Sequence, residues 1–225
     1  MGKALEIPEQ EMRERYEKIY TAVVIDIMHD QYGKRERALP ENLLPLVDGM
    51  KVAGFAFTVT GMPTHLPEPE DVHEQRAAMI DSLYPGSIVV WDTNHDHGTS
   101  HYGEMMTAAS MMRGCVGAII DGGVRDVDRM IETGFKVWSR YRTPASMAHR
   151  FHITHWQQPI MIGRTEVVPG DLIFADMDGI VVVPRAIAYD VLCRAEQQNR
   201  TERGWRQIIA SGLTPGQVVR RGGRF

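Results

Sequence analysis

Cysteine is almost absent from this chain: Cys115 and Cys193 are the two in 225 residues, each in an apolar or helical context. No disulfide framework is available, and the sparse thiols point to reduced side chains in a cytoplasmic protein. Excess positive charge is missing as well. With 25 Lys and Arg against 29 Asp and Glu the formal net charge is -4. No global basic field draws nucleic acid or an anionic membrane surface, and neither is expected as a partner. Long apolar runs are lacking too, where a membrane span needs ~20 such residues. The opening residues, with Glu6, Glu9, Glu11 and Glu14, have neither the basic start nor the apolar stretch of a secretory leader. What is present is ordinary for a globular chain. It is 43% hydrophobic and 24% charged, and long enough for one sizeable core, so a single domain over residues 1–225 is expected.

Helix and strand patterns alternate along the chain. Apolar residues at helical spacing from Ile7 to Tyr20 continue through Thr21 to Met28 as a buried helix, followed by a charged loop at Gly33–Arg37. Small and β-branched residues from Lys51 to Thr60 predict a strand, the prolines of Pro63–Asp71 a connection, and Glu74–Ser82 a short helix. Pro-Gly turns precede apolar strands at Tyr84–Trp91 and at Val168–Ala175. Met105–Arg113 reads as a helix, Val116–Asp121 as a strand, and Val127–Thr133 as a short helix closed by Gly134. A last helix starts at Ala186, passes Asn199 and points toward Ala210, and the basic, glycine-rich tail from Thr214 to Phe225 is expected to be mobile or to dock on a neighbouring subunit. The alternation predicts an α/β layered domain.

The chemistry concentrates in one region, His101-Tyr-Gly-Glu-Met-Met-Thr-Ala-Ala-Ser110 followed by Gly117-Ala-Ile-Ile-Asp-Gly-Gly-Val-Arg-Asp-Val-Asp128. This reads as a helix leading to a buried strand that ends in a glycine turn, with Arg125 and Asp126 just past it. A guanidinium beside a carboxylate at the carboxyl end of a strand suits oxyanion binding together with a hard metal ion. Glu104 lies one helix and one strand upstream and can fold back beside the pair.

Gly103-Glu104, the twenty-residue spacing, the Ile119–Asp128 segment and a second segment at Val168–Pro184 resemble the RraA-like family. It contains the metal-dependent aldolases of 4-hydroxy-4-methyl-2-oxoglutarate and 4-carboxy-4-hydroxy-2-oxoadipate and also the regulator of ribonuclease E activity. The resemblance covers roughly residues 20–195, leaving the N-terminal helix, the C-terminal helix and the tail peripheral. It implies an α/β layered sandwich of the swivelling β/β/α type, assembled as a homotrimer or hexamer with the Arg-Asp pair at a subunit boundary. It implies a class II pyruvate aldolase, a lyase that cleaves a 4-hydroxy-2-oxo acid through a cation-stabilised enolate, with oxaloacetate decarboxylation as a side activity. In that reading Asp126 ligates Mg2+ or Mn2+, Glu104 holds a metal-bound water, and Arg125 contacts the 2-oxo oxygen. The amides of Met105 and Met106 after Gly103 receive the substrate carboxylate. Glu104 stands where the best-studied aldolases carry aspartate.

Other readings compete. The second class is a regulator that acts on a ribonuclease by protein contact, without catalysis. The glycine-rich methyl-donor loop of a methyltransferase is not found. Asp92–His101 holds His95, His97 and His101, a rival set for zinc or iron. His149, His152 and His155 with Arg140, Arg142 and Arg150 form a second polar cluster suited to an acidic or polyhydroxylated substrate. Met105, Met106, Met111 and Met112 read as core packing, and Asp176 and Asp178 beside Gly179 as turn formers. Glu36, Glu41, Glu196 and Glu202 are candidates for carboxylates lent by a neighbouring subunit.

Overall fold

A computed structural model describes residues 6–34, 36–67 and 69–223. The first helical pattern splits in two, α1 (Glu9–Tyr16) and α2 (Thr21–Tyr32). The break has a distant cause. The buried Asp176 carboxylate accepts the Thr21 backbone N–H at 2.8 Å and its hydroxyl at 2.7 Å, starting a new helix from the far end of the chain. Asp176 also takes the Asp178 N–H at 3.0 Å, so the expected turn former is at once a helix anchor.

Next come β1 (Leu44–Pro45), β2 (Val52–Pro63), α3 (Val72–Asp81), β3 (Ser87–Asp92), β4 (Ser100–Tyr102), α4 (Glu104–Met112), β5 (Gly117–Val124) and α5 (Val127–Glu132). The chain closes with β6 (Lys136–Arg142), β7 (Phe151–Trp156), the hairpin β8 (Ile160–Ile162) and β9 (Thr165–Val167), then β10 (Leu172–Ala175), β11 (Ile180–Val183), α6 (Ala188–Ala210) and α7 (Pro215–Arg220). The main sheet runs β1-β6-β5-β3-β2-β10-β11, with β4 added beside β5 and β7 beside β2. Strands β2, β3, β5 and β6 are mutually parallel, and β2 is buried without interruption from Val52 to Val59, as a parallel strand covered on both faces should be. The sheet curls until its ends are tied by one segment. Leu39 N–H donates to Ile180 O at 2.9 Å and Arg37 O accepts from Val182 at 2.8 Å, while β1, a few residues on, pairs with β6. Both edges are thereby paired.

Two apolar clusters result. Trp91, Ile119, Val124, Trp138 and Phe151 belong to the larger, against which Met106 and Val127 pack. The second joins Phe55 and Phe174 of the sheet to α1, α2 and α6. Met12, Tyr16 and Ile19 are buried in it, so the N-terminal helix, expected at the periphery, is part of a core. This is the mixed α/β domain that the alternation predicted, and the structure adds that its sheet is curled. Among the described residues no helix is long and apolar enough to cross a membrane.

The tail departs from expectation. Pro215–Arg220 is helical, started by a capping box in which Thr214 and Gln217 satisfy each other's backbone N–H groups, and Val218 is fully buried. The helix packs on α6 of its own chain, where Gly223 approaches Trp205. Arg224 and Phe225 lie outside the described residues.

Candidate functional site

Strand β5 runs three residues beyond its predicted end, so Arg125 follows it directly. Gly122 and Gly123 are therefore strand residues and not the predicted turn, and the ladder to β6 shifts register between Ile120 and Gly123. Close approach explains them. A Cβ at Gly122 would stand 2.8 Å from His101 Nδ1 and from Thr93 Cγ2, and one at Gly123 would stand 2.3 Å from Thr99 O and 2.4 Å from the Tyr141 ring. The glycine pair lets the 93–101 segment lie against β5.

Beyond the strand, Asp126 takes a left-handed backbone conformation, φ 55° and ψ 35°, and serves as N-cap residue of α5. Asp is among the few side chains that tolerate this at small cost. Its carboxylate makes no bond to its own helix. It turns instead to the start of α4, where Oδ2 accepts the Glu104 N–H at 3.4 Å and lies 3.6 Å from Arg125 Nε. Gly103 makes the room, since a Cβ there would sit 2.8 Å from Asp126 Oδ2 and 3.2 Å from Arg125 Cγ. The Arg125 N–H is held on Tyr102 O at 3.0 Å. The structure thus brings Gly103, Glu104, Arg125 and Asp126 together, as the spacing predicted. Met105 and Met106 occupy the first turn of α4, whose opening amides have no intrahelical acceptor and carry the positive end of the helix dipole.

Arg125 and Asp126 have 44% and 41% of their side chains exposed. A pair so open contributes little to stability, so the fold has small need of it. Asp126 and Glu104 offer hard oxygen donors facing water, which fits a cation bound through one or two carboxylates and its own water shell. Among the described residues no three His, Cys, Asp or Glu side chains converge on a metal-binding geometry. The rival histidine set accordingly falls apart. His95 is exposed, His97 lies over Tyr141 with centroids 6.4 Å apart, and His101 is buried on β4 with Nε2 3.1 Å from Asp96 Oδ2.

The methionines divide differently from expectation. Met106 packs on the core, but Met105 is 76% and Met112 88% exposed, and Met111 also faces solvent. The phase of α4 is set by Thr107 and Ser110, which are buried, Ser110 accepting the Tyr102 hydroxyl at 2.8 Å. The second polar cluster is dispersed among separate partners. Arg140 clamps the buried Asp121 through Nε and Nη2, both at 2.5 Å, and Arg142 donates to Leu46 O at 2.9 Å. His152 and His155 ride on β7 beside Met62 and Thr60, and His149 is exposed. Of the carboxylates suggested for a neighbour's site, Glu196 is held by Arg15 at 2.8 Å, Glu202 by Tyr20, and Glu36 lies 3.8 Å from Arg164. Glu36 and Glu41 line a cavity of about 660 Å3 whose walls include none of Glu104, Arg125 and Asp126.

Sequence reasoning missed two pairs on buried carboxylates, the Asp121–Arg140 ion pair and the Asp96–His101 hydrogen bond. Burial pushes the His101 imidazole down to about 4, against the upward pull of Asp96. In the unfolded chain it titrates near 6.5. The neutral ring therefore stabilises the fold above about 6.5, and that contribution is lost as pH falls toward about 4. Between pH ~7 and pH ~4.5 urea melts should lose about 2 kcal/mol more in the native protein than in His101→Gln. Equal losses would mean that His101 does not drive the acid sensitivity.

Comparison with known proteins agrees with this architecture. A sequence model described as RraA-like, Aldolase/RraA, matches residues 21–182. A crystal structure described as one of novel cellulases from gut-associated microbes superposes with a TM-score of 0.86 at 39% identity, covering 91% of this chain and 90% of that one. A Halalkalibacterium halodurans protein named "Putative 4-hydroxy-4-methyl-2-oxoglutarate aldolase" is 25% identical over 178 residues, 78% of this chain and 80% of its own length. Protein DlpA of Legionella pneumophila is 28% identical over 173 residues, which are 77% of this chain but 28% of that longer protein. With the match to residues 21–182 spanning well over half of it, the chain belongs to the RraA-like, Aldolase/RraA family.

Proposed function

We propose that the protein is a divalent-cation-dependent pyruvate lyase acting on a 4-hydroxy-2-oxo acid. The observation that carries the reading is the cradle at Gly103, which seats the Asp126 carboxylate and the Arg125 guanidinium against the start of α4. Asp126 would hold the cation directly and Glu104 through water. The cation, when bound, withdraws electron density from the 2-oxo acid. The amides of Met105 and Met106 receive the substrate carboxylate, and Arg125 lies where negative charge grows on the 2-oxo oxygen. As the bond between C3 and C4 breaks, its electrons pass to the pyruvate fragment as an enolate. The C4 hydroxyl proton leaves to a water held by Glu104, and C3 takes a proton from water to give pyruvate. Oxaloacetate decarboxylation shares the enolate and follows as a side activity.

In this reading the protein is a trimer or a dimer of trimers, with the exposed methionines of α4 covered by a neighbour beside the site. A monomer on sedimentation would remove that part. The direct test measures pyruvate release from branched and sugar-derived 4-hydroxy-2-oxo acids, with Mg2+ or Mn2+ and after chelation, alongside reducing-sugar release from cello-oligosaccharides. Cation-dependent pyruvate release with the fold unchanged by chelation is expected, because one or two carboxylates bind a cation without nucleating a fold. Full activity after thorough metal removal, or activity on the oligosaccharide alone, would overturn the reading.

A further inference from the structure

The segment between β3 and α4 is pinned from several sides. Asn94 and His95 stand at φ 49° and 61°, two successive left-handed residues without glycine's freedom. Surrounding bonds hold this turn in place. Asp96 N–H donates to Thr93 O at 3.0 Å, Ser100 N–H to Ala145 O at 2.7 Å, and Gly98 N–H to the Tyr141 hydroxyl at 3.0 Å. At the centre lies His101, its side chain fully buried, with Phe151 edge-on at 4.5 Å between centroids. Polar contacts at one nitrogen orient its ring. Nε2 lies 3.1 Å from Asp96 Oδ2 and 3.3 Å from the Thr99 hydroxyl, which also reaches that carboxylate, and Nδ1 is buried without a partner over Gly122.

The next residues are the site. Tyr102 O holds the Arg125 N–H, and Gly103 makes the cradle for Asp126. A buried carboxylate and imidazole are a poor device for stability alone, since apolar residues of similar volume often do as well. Their bond is directional, however. We propose that Asp96–His101 is a positioning pair, which fixes β4 and the flanking Thr99 and Gly103 on β5 and through Tyr102 sets the place of Arg125 against Asp126. The proposal rests on the lyase reading for its catalytic consequence, whereas its structural consequence stands by itself.

Two substitutions separate direction from packing. His101→Gln keeps a donor at the ε position toward Asp96, while His101→Met keeps apolar volume and loses the donor. Turnover at saturating cation should fall about 100-fold in His101→Met with KM changed less than about 3-fold, and His101→Gln should recover to within about 5-fold of the native protein. Amide hydrogen exchange supplies a readout free of activity. The Arg125 and Glu104 amides should exchange about 10-fold faster in His101→Met but not in His101→Gln, with the amides of β2 and β10 unchanged. If the native protein releases no pyruvate, the lyase reading fails and exchange alone decides this proposal. Equal behaviour of the two variants would overturn it. Should His101→Met not fold, Asp96→Asn is measured instead, and unaltered exchange at Arg125 there would also overturn it.

Discussion

Asp126→Asn is expected to lower pyruvate release by about 100-fold or more and to move the cation titration to higher concentration, with little change in thermal stability. The carboxylate is exposed and makes only long contacts, at 3.4 Å to the Glu104 amide and 3.6 Å to Arg125. Removing its charge therefore costs the fold little. In the proposed reading a neutral amide oxygen replaces the anionic ligand, and the charge that would hold a hard cation is gone. Arg125→Lys should also slow turnover, but at saturating cation, because it keeps the charge and loses the planar fork. His95→Ala is the control. His95 is exposed on a loop whose histidines do not converge, so it should leave the cation titration nearly fixed. A titration that shifted for His95→Ala and held for Asp126→Asn would move the cation to the histidine loop and reduce Arg125–Asp126 to substrate binding.

Gly103→Ala and Gly123→Ala should fail in opposite ways. At Gly103 the added Cβ meets Asp126 Oδ2 at 2.8 Å. That atom ends a side chain open to solvent and can swing aside, so melting should fall by no more than the equivalent of about 1 kcal/mol. The carboxylate then leaves the start of α4, and turnover should drop about 100-fold. At Gly123 the Cβ meets a backbone oxygen, Thr99 O, at 2.3 Å and the Tyr141 ring at 2.4 Å. Neither has anywhere to go. The 93–101 segment must lift from β5, at a cost of about 3 kcal/mol or more in chemical denaturation. Stability lost at Gly103 with activity retained, or the converse at Gly123, would show that these glycines do not have the separate roles their surroundings indicate.

Much of the scaffold was legible because its signals are local. The β-branched run at Lys51–Thr60, the helical spacing of Glu74–Ser82 and the strand before Arg125 each carry their own periodicity, and all three became elements that start close to the predicted residue, although β2 and β5 both run on past their predicted ends to Pro63 and Val124. The site was legible for a related reason. Glu104 and Arg125 flank a helix and the strand that follows it, and that short unit returns the chain to the same end of the sheet. By itself, then, the sequence determined the alternating α/β order and the meeting of Gly103, Glu104, Arg125 and Asp126. Tertiary structure decided what depends on partners far along the chain. Asp176 cut the first helical pattern in two at Thr21. Thr107 and Ser110, buried beneath α4, turned Met105 and Met112 outward although methionine itself favours burial. Gly122 and Gly123 look like a turn in sequence, where glycine most often means freedom of φ. Here they are strand residues because His101, Thr99 and Tyr141 press on them from segments that only the folded chain brings near.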